Sequence, residues 1–331
     1  MFARLSEAEQ ELLVRSVLPA SLPAQLATLT EERFSDPGWV FERKLDGVRC
    51  LARRTADGQV RLLSRNDKDM SRTYPEIAVA ITEQAATELV LVGEVVAFDG
   101  RRTSFERLQG RLGLTDPDEA LATGIAVFYY VFDLLYLDGC DVRRLPLLTR
   151  KKLLRQAVGF ADPLRFTTHR REKGEEAFRA ACERGDEGVI AKRASAPYAG
   201  GRSKDWLKFK CVRDQELVIG GWTDPKGSRA EFGALLLGYY DGDVFVYAGK
   251  VGTGFDERTL RTLGQRLRSL EQPASPFGRN AVRERGVHWA RPEVVAQIGF
   301  TEWTREGMLR HPRFQGLRVD KVAAEVVRET R

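Results

Sequence analysis

A chain of 331 residues with 43% hydrophobic content is longer than a usual single domain and apolar enough for ordinary cores, so two domains are expected. The net charge of +6 and a pI near 9.2 suit a polyanionic partner and permit nucleic acid without requiring it. Cys50, Cys140, Cys182 and Cys211 are scattered with no Cys-x-x-Cys pair, which excludes a zinc module, suggests no structural disulfide and fits a reducing cytoplasm, while the absence of a signal-like core in Met1 to Glu11 and of any apolar run near ~20 residues argues against export or a membrane span.

Ser6-Glu7-Ala8-Glu9 has capping-box spacing, and Leu12, Leu13 and Val17 then form the apolar stripe of a short helix ended by Pro19 and Pro23. From Trp39 onward short apolar runs alternate with turns. Gly47 to Arg54 and Val60 to Arg65 flank Ala56-Asp57-Gly58-Gln59 and read as a hairpin. Leu89 to Phe98, closed by Asp99-Gly100, and Ile125 to Leu137, closed by Asp138-Gly139, read as longer buried strands. Thr149 to Val158 and Glu175 to Arg184 have helical composition, with Gly185 where a C-cap glycine belongs. This mixture predicts an α+β domain built on antiparallel sheets. After Lys210 the texture becomes strand-rich: Glu216 to Trp222, Ala234 to Tyr240, a turn at Asp241-Gly242-Asp243, and Val244 to Val251. One helical stretch, Asp256 to Leu270, precedes strands near Val294 to Trp303, the pattern of a small OB-fold barrel. The division expected is an N-terminal helical extension over 1–19, a first domain over 20–212 and an OB-fold domain over 213–331.

The most informative stretch is Phe41-Glu42-Arg43-Lys44-Leu45-Asp46-Gly47-Val48-Arg49. A lysine amine titrates near ~10.4 when free and attacks nothing until its surroundings release the proton. Alone, the pattern reads equally well as a strand edge and turn with solvated charges. Its company decides: Ser64-Arg65-Asn66, Val92-Gly93-Glu94-Val95-Val96, Phe132-Asp133-Leu134-Leu135, Glu187 to Lys192, Trp206 to Lys210 and Arg318-Val319-Asp320-Lys321 follow in order. Glu94 interrupts an apolar strand, where a carboxylate is costly unless paired. Lys208 and Lys210 alternate with Leu207 and Phe209, which sets both amines on one strand face. Phe132 lies in an aromatic strand and, taken alone, reads as core.

The ordered set resembles that of the covalent nucleotidyltransferase superfamily of ATP-dependent DNA ligases, RNA ligases and mRNA capping enzymes. The resemblance implies an antiparallel-sheet, ATP-grasp-like nucleotidyltransferase domain followed by an OB-fold β-barrel. It makes Lys44 the adenylylated residue, with Asp46 acting on a metal or on protons, Gly47 permitting a tight backbone and Arg49 holding ribose or phosphate. Glu42 would contact the adenine amine, Phe132 would stack on the base, and Arg65 would grip the 5′-phosphate of a nick. Lys192, Lys208 and Lys210 join the nucleotide site, and Glu94 and Glu187 would hold Mg²⁺ or Mn²⁺. Arg318, Asp320 and Lys321 would close over the nucleotide during lysine adenylylation. His169, His288 and His311 have no metal spacing and receive no catalytic role.

A closer resemblance is to the ligase module of bacterial end-joining DNA ligases. It rests on Pro23 to Leu29, Pro225-Lys226-Gly227-Ser228-Arg229, Gly249 to Phe255, Phe300 to Arg305 and Arg310 to Arg318, and covers about residues 20 to 327. The implied activity is an ATP-dependent DNA ligase sealing nicked or broken duplex through lysyl-AMP and adenylylated DNA. The expected form is a monomer in the bacterial cytoplasm, associated with the nucleoid. A Ku-like end-binding protein and a separate end-joining polymerase are the expected partners, since the polymerase and phosphoesterase modules often fused to such ligases are not in these residues. An RNA ligase or RNA-capping guanylyltransferase shares the chemistry. A nucleic-acid-binding protein with a dead site is disfavoured because every motif position keeps its reactive group.

Overall fold

The computed structural model describes residues 2–211, 214–225, 231–280, 282 and 284–329, so Lys226 to Arg229 of the motif beginning at Pro225 lie outside the described residues. Two compact units divide the chain, Met1–Cys211 and Val212–Thr330.

The first unit begins with α1 (Glu7–Glu11), capped as its spacing predicts: Ser6 Oγ accepts from the Glu9 N–H and the Glu9 carboxylate accepts from the Ser6 N–H. The helix stops earlier than expected. Leu12 and Leu13 pack on the core, Val14–Arg15 form a strand, β1, and Val17 is exposed. Residues 1–19 are therefore built into the first unit instead of forming a helical extension.

There follow β2 (Gln25–Leu29), β3 (Trp39–Lys44), β4 (Val48–Arg54), β5 (Val60–Ser64), α2 (Pro75–Thr82), β6 (Leu89–Asp99), β7 (Arg102–Thr103), α3 (Phe105–Leu108), α4 (Pro117–Ala122), β8 (Val127–Leu137) and β9 (Cys140–Asp141). The unit closes with α5 (Leu147–Ala157), β10 (Leu164–Phe166), β11 (His169–Arg171), α6 (Gly174–Glu183), β12 (Gly188–Arg193) and β13 (Gly201–Lys210). The hairpin β4–β5 is present, turned by Gly58 at φ +83°.

Two sheets result, one ordered β1-β9-β8-β6-β4-β5 with β7 and β10 at its sides, the other β11-β3-β12-β13-β2. Pairing is antiparallel except β8 with β10 and β2 with β13. Alternation sorts the second sheet's residues. Trp39, Phe41, Val189, Ala191 and Phe209 pack on Ala177 and Ala181 of α6. The intervening residues, among them Glu42, Lys44, Lys192 and Trp206, take the opposite face. There Trp206 joins Val90, Val92, Phe132 and Tyr136 of the first sheet in one apolar cluster. The two sheets thus meet over an apolar cluster, with charged residues of the second sheet on the same face.

Cys182 and Cys211 form a disulfide, with Cα atoms 5.3 Å apart, contrary to the expectation of none. They are 29 residues apart in sequence, and no local spacing announces them. They meet because α6 packs on the face of the sheet whose last strand leads to Cys211. Cys50 and Cys140 are free and buried.

The second unit holds β14 (Asp214–Thr223), β15 (Leu235–Asp241), β16 (Val244–Val251), α7 (Glu257–Ser269), β17 (Glu271–Gln272), β18 (Val287–Gly299), β19 (Glu302–Trp303), β20 (Leu309–Arg310) and β21 (Arg313–Leu317). Its main sheet is wholly antiparallel, ordered β16-β15-β14-β18-β17, with β21 on β18. A bulge in β14 between Ile219 and Gly221 bends the sheet. Asp256 caps α7 by accepting from the Thr259 N–H at 2.6 Å, and Leu263 and Leu267 carry the helix onto the strand core. An α+β first domain and a strand-rich, single-helix OB-type second domain are the architecture expected.

Candidate active site

Lys44 ends β3 and lies in one cross-strand row with Gly188 of β12 and Lys210 of β13; Glu42, Ile190 and Lys208 form the next row. The rows place three ammonium groups and a carboxylate on one sheet face. Backbone contact this close has steric conditions. A Cβ on Gly188, at φ +148°, would sit 1.9 Å from the Phe209 carbonyl oxygen, and one on Gly47 would sit 2.2 Å from that of Val95. Lys44 Nζ is ion-paired with the Glu187 carboxylate. Asp46 is tied to the main chain: its carboxylate accepts from the Phe105 N–H at 3.1 Å and its own N–H donates to Thr103 Oγ1 at 3.1 Å. The loop after the lysine is thereby pinned to the start of α3.

The facing wall comes from the other sheet. Arg49 and Glu94 are register partners on β4 and β6, with Nε 3.2 Å from Oε2, so the carboxylate that interrupts an apolar strand is paired. Arg49 also donates to the carbonyl of buried Gln25 at 3.0 Å, and its guanidinium lies 4.9 Å from the Phe132 ring centre. Phe132 is only 6% exposed. Trp206 meets it edge-on at 5.8 Å, and Lys192 Nζ lies 4.1 Å from both rings.

Beneath these groups lies a charge cluster that spacing along the chain does not reveal. Glu42 is buried between two lysines, its Oε1 2.5 Å from Lys151 Nζ and its Oε2 2.6 Å from Lys192 Nζ. Burial raises the Glu42 pKa, but the two ammonium groups outweigh burial and hold the carboxyl below its ordinary value. Burial pushes Lys192 down to about 8, against the pull of Glu42. His169, the register partner of Glu42 on β11, is lowered by burial and then by Lys151. Beside this cluster Arg150 grips Asp133 through Nε at 2.7 Å and Nη2 at 2.8 Å, both side chains fully buried.

Lys151 and Arg150 belong to this buried cluster yet stand at no motif spacing. A signal existed: they sit on the apolar stripe of α5 with Leu147, Leu153, Leu154 and Ala157, where a cation needs a buried partner.

The remaining candidates lie elsewhere. Arg65 follows β5 and is partly buried. Arg318, Asp320 and Lys321 belong to the second unit, on the turn after β21. Arg318 donates to both Asp320 oxygens at 2.9 and 2.8 Å, and Lys321 lies 3.1 Å from Glu216. With Arg318 and Asp320 side chains 9% and 5% exposed, they are not solvated surface charges. Among the described residues no cluster of three or more His, Cys, Asp or Glu side chains could hold a metal. Glu94 and Glu187 are carboxylates paired with Arg49 and Lys44; a magnesium-like ion in general takes one or two such oxygen donors and completes its shell with water and substrate phosphates.

The chain matches the family described as "ATP dependent DNA ligase domain" over residues 23–210 and "ATP dependent DNA ligase C terminal region" over 228–321. It is 38% identical over 323 residues to the "Multifunctional non-homologous end joining protein LigD" of Pseudomonas aeruginosa, covering 95% of this chain and 37% of that protein. It is 38% identical over 300 residues to the corresponding LigD protein of Mycobacterium tuberculosis, covering 88% of this chain and 37% of that one. The chain therefore spans just over a third of the length of these relatives. A solved structure of "mycobacterial DNA ligase D complexed with ATP and MES" is 34% identical, covers 93% of this chain and 98% of that one, and superposes with a TM-score of 0.64. Matched across both units, with the lysine, carboxylates and arginine gathered in the first of them, the chain belongs to the ATP-dependent DNA ligase family.

Proposed function

We propose that this chain seals a DNA 5′-phosphate to a 3′-hydroxyl in three transfers, in double-strand-break repair of the end-joining type. The observation that carries the reading is Lys44 itself, its amine on the Glu187 carboxylate and in one strand row with Lys210. After losing a proton, Lys44 Nζ attacks the α-phosphorus of ATP; an N–P bond forms, the bond to the bridging oxygen breaks, and pyrophosphate leaves. AMP then passes to the 5′-phosphate of the nick, and the 3′-hydroxyl displaces it. Phosphoryl transfer depends on positioning and charge. Lys208 and Lys210 offer cations to phosphate oxygens, Arg49 is held by Glu94 and Gln25 to meet ribose or phosphate, and Arg65 would grip the nick phosphate. Glu94 and Glu187 would hold Mg²⁺ or Mn²⁺, which when bound neutralises phosphate charge.

In this reading residues 20–212 form the nucleotidyltransferase domain and 213–331 the OB-fold domain, whose Arg318, Asp320 and Lys321 serve the first transfer. No helix among the described residues is long and apolar enough to cross a membrane, and a monomer in the bacterial cytoplasm at the nucleoid suits the activity. A Ku-like end-binding protein and a separate polymerase are the proposed partners; the former should stimulate sealing of breaks more than of nicks.

Incubation with labelled ATP or GTP, followed by nicked DNA or RNA, tests the proposal. The expected result is an AMP adduct on Lys44, absent in Lys44→Ala, that is discharged by nicked DNA. A GMP adduct or RNA sealing would favour the capping or RNA-ligase chemistry. No adduct at all would indicate a binding protein, and an adduct in Lys44→Arg would show that another residue is the nucleophile.

A further inference from the structure

The two oxygens of Glu42 are held differently. Oε1 receives Lys151 Nζ at 2.5 Å, and the same ammonium donates to the carbonyls of Thr167 at 3.0 Å and Phe132 at 3.4 Å. All three protons of Lys151 are thus engaged, in a side chain 2% exposed. Oε2 pairs with Lys192 Nζ at 2.6 Å, an ammonium that rests against the Phe132 and Trp206 rings. One oxygen is fixed by an ammonium anchored to two backbone carbonyls, the other by an ammonium set against two aromatic rings.

Resting on the reading of Glu42 and Phe132 as the groups that meet the nucleobase, we propose that Lys151 is a positioning residue for base choice: it fixes Glu42 as an ionised acceptor and ties it to the Phe132 backbone, so that the pocket takes a 6-aminopurine and rejects a 6-oxopurine. An ionised carboxylate accepts from an exocyclic amine and repels a carbonyl oxygen. A protonated one can donate to that carbonyl. The state of Glu42 therefore decides which purine pairs with it. The charged groups facing it are Lys151 from α5, Lys192 from β12 and His169 from β11, with Lys208 in the same cross-strand row and Asp133 acting on Lys192. Without Lys151, burial opposes a carboxylate compensated mainly by Lys192, whose own charge burial also disfavours.

The test compares Lys151→Met, Lys151→Gln and Lys151→Arg with the parent chain, measuring the ratio of GMP to AMP adduct on Lys44 across pH; the ratio cancels the titration of the nucleophile. The Met variant should raise KM for ATP by on the order of 10- to 100-fold with a smaller change in kcat. It should also form GMP adduct at low pH, fading as pH rises and Glu42 ionises. Lys151→Arg should restore selection for ATP. Glu42→Gln, which accepts and donates at any pH, should admit GTP without that pH dependence. Thermal unfolding reports whether each variant is folded; Lys151→Gln keeps a donor to the two carbonyls and replaces the Met variant if that one is not. Selection for ATP at every pH in the folded neutral variant, with KM unchanged, overturns the inference. A parent chain that labels with neither nucleotide, or with both equally, overturns the ligase reading instead.

Discussion

In the first unit the charges of the site come from distant parts of the chain: Glu42 from β3, Lys151 and Arg150 from α5, Asp133 from β8 and Lys192 from β12, each 3% exposed or less. In the second unit Arg318 and Asp320 are two residues apart on one turn and grip each other there. The first arrangement exists only when the sheets and α5 have closed on one another. The second is assembled by three residues of local chain. Charges of the first kind are coupled to folding, whereas those of the second can serve one catalytic step without holding a core together.

The largest effect should come from breaking the buried pair. Arg150→Met leaves the Asp133 carboxylate enclosed without its guanidinium partner, and also removes the bonds from that guanidinium to the Leu145 and Ala196 carbonyls at 2.6 and 3.0 Å, the second of which keeps only the Leu147 N–H at 3.1 Å. A loss of about 3–5 kcal/mol in denaturant unfolding of the first unit is expected. A loss below about 1 kcal/mol would mean that the pair is not coupled to folding, and the contrast between the units would fail.

Arg318→Ala should act in the opposite sense. On the reading proposed above, in which Arg318 serves the first transfer, the variant should lose Lys44 adduct formation by on the order of 10²-fold while sealing a nick supplied already adenylylated within a few-fold. Its unfolding should change less than that of Arg150→Met. Lys321→Ala should follow the same pattern, and Glu187→Ala, the control, should damage both steps. Equal loss of both steps in the Arg318 and Lys321 variants would make them struts of the barrel. A smaller separation of the steps comes from salt: each phosphate neutralised by Lys or Arg contributes a slope of about −0.9 in log binding against log salt. Raising salt should therefore weaken nick sealing more steeply than adduct formation, and parallel slopes would place the same charges in both.

The same contrast explains what the sequence revealed. Glu42, Lys44, Asp46, Gly47 and Arg49 are contiguous, so their chemistry is visible as spacing, as is the alternation that puts Lys208 and Lys210 on one face. Capping at Ser6 was visible because it is local. The end of α1 was not, since the competing partner of Val14–Arg15 is Cys140–Asp141, more than a hundred positions away. Lys151 and the Cys182–Cys211 bridge escaped for the same reason: their partners are created by packing, and neither stands at a motif spacing. For Lys151 the burial stripe of α5 held the missing hint, a cation where an aliphatic residue would normally sit.

The smallest effect concerns His288, in an exposed network whose partners come from 17 and 64 positions away in the chain. Its Nδ1 lies 2.8 Å from Glu271 and its Nε2 2.9 Å from Asp224, and its ring stacks on Trp222 with centroids 5.1 Å apart. The two carboxylates raise its pKa above the ordinary 6.5, the Glu271 contact first. A histidine raised in the folded state stabilises fully below its unfolded value and loses that contribution as pH rises through the folded one. The second unit should therefore be slightly more stable at pH 6 than at pH 8.5 on this account, and His288→Gln should remove that part of the difference. With its side chain 38% exposed, solvent screening holds the effect well under about 1 kcal/mol, readable as a shift of a degree or two in melting temperature. A parent chain and a Gln variant with the same pH dependence would show that the network, though well formed, carries no stability, as many exposed ion pairs do.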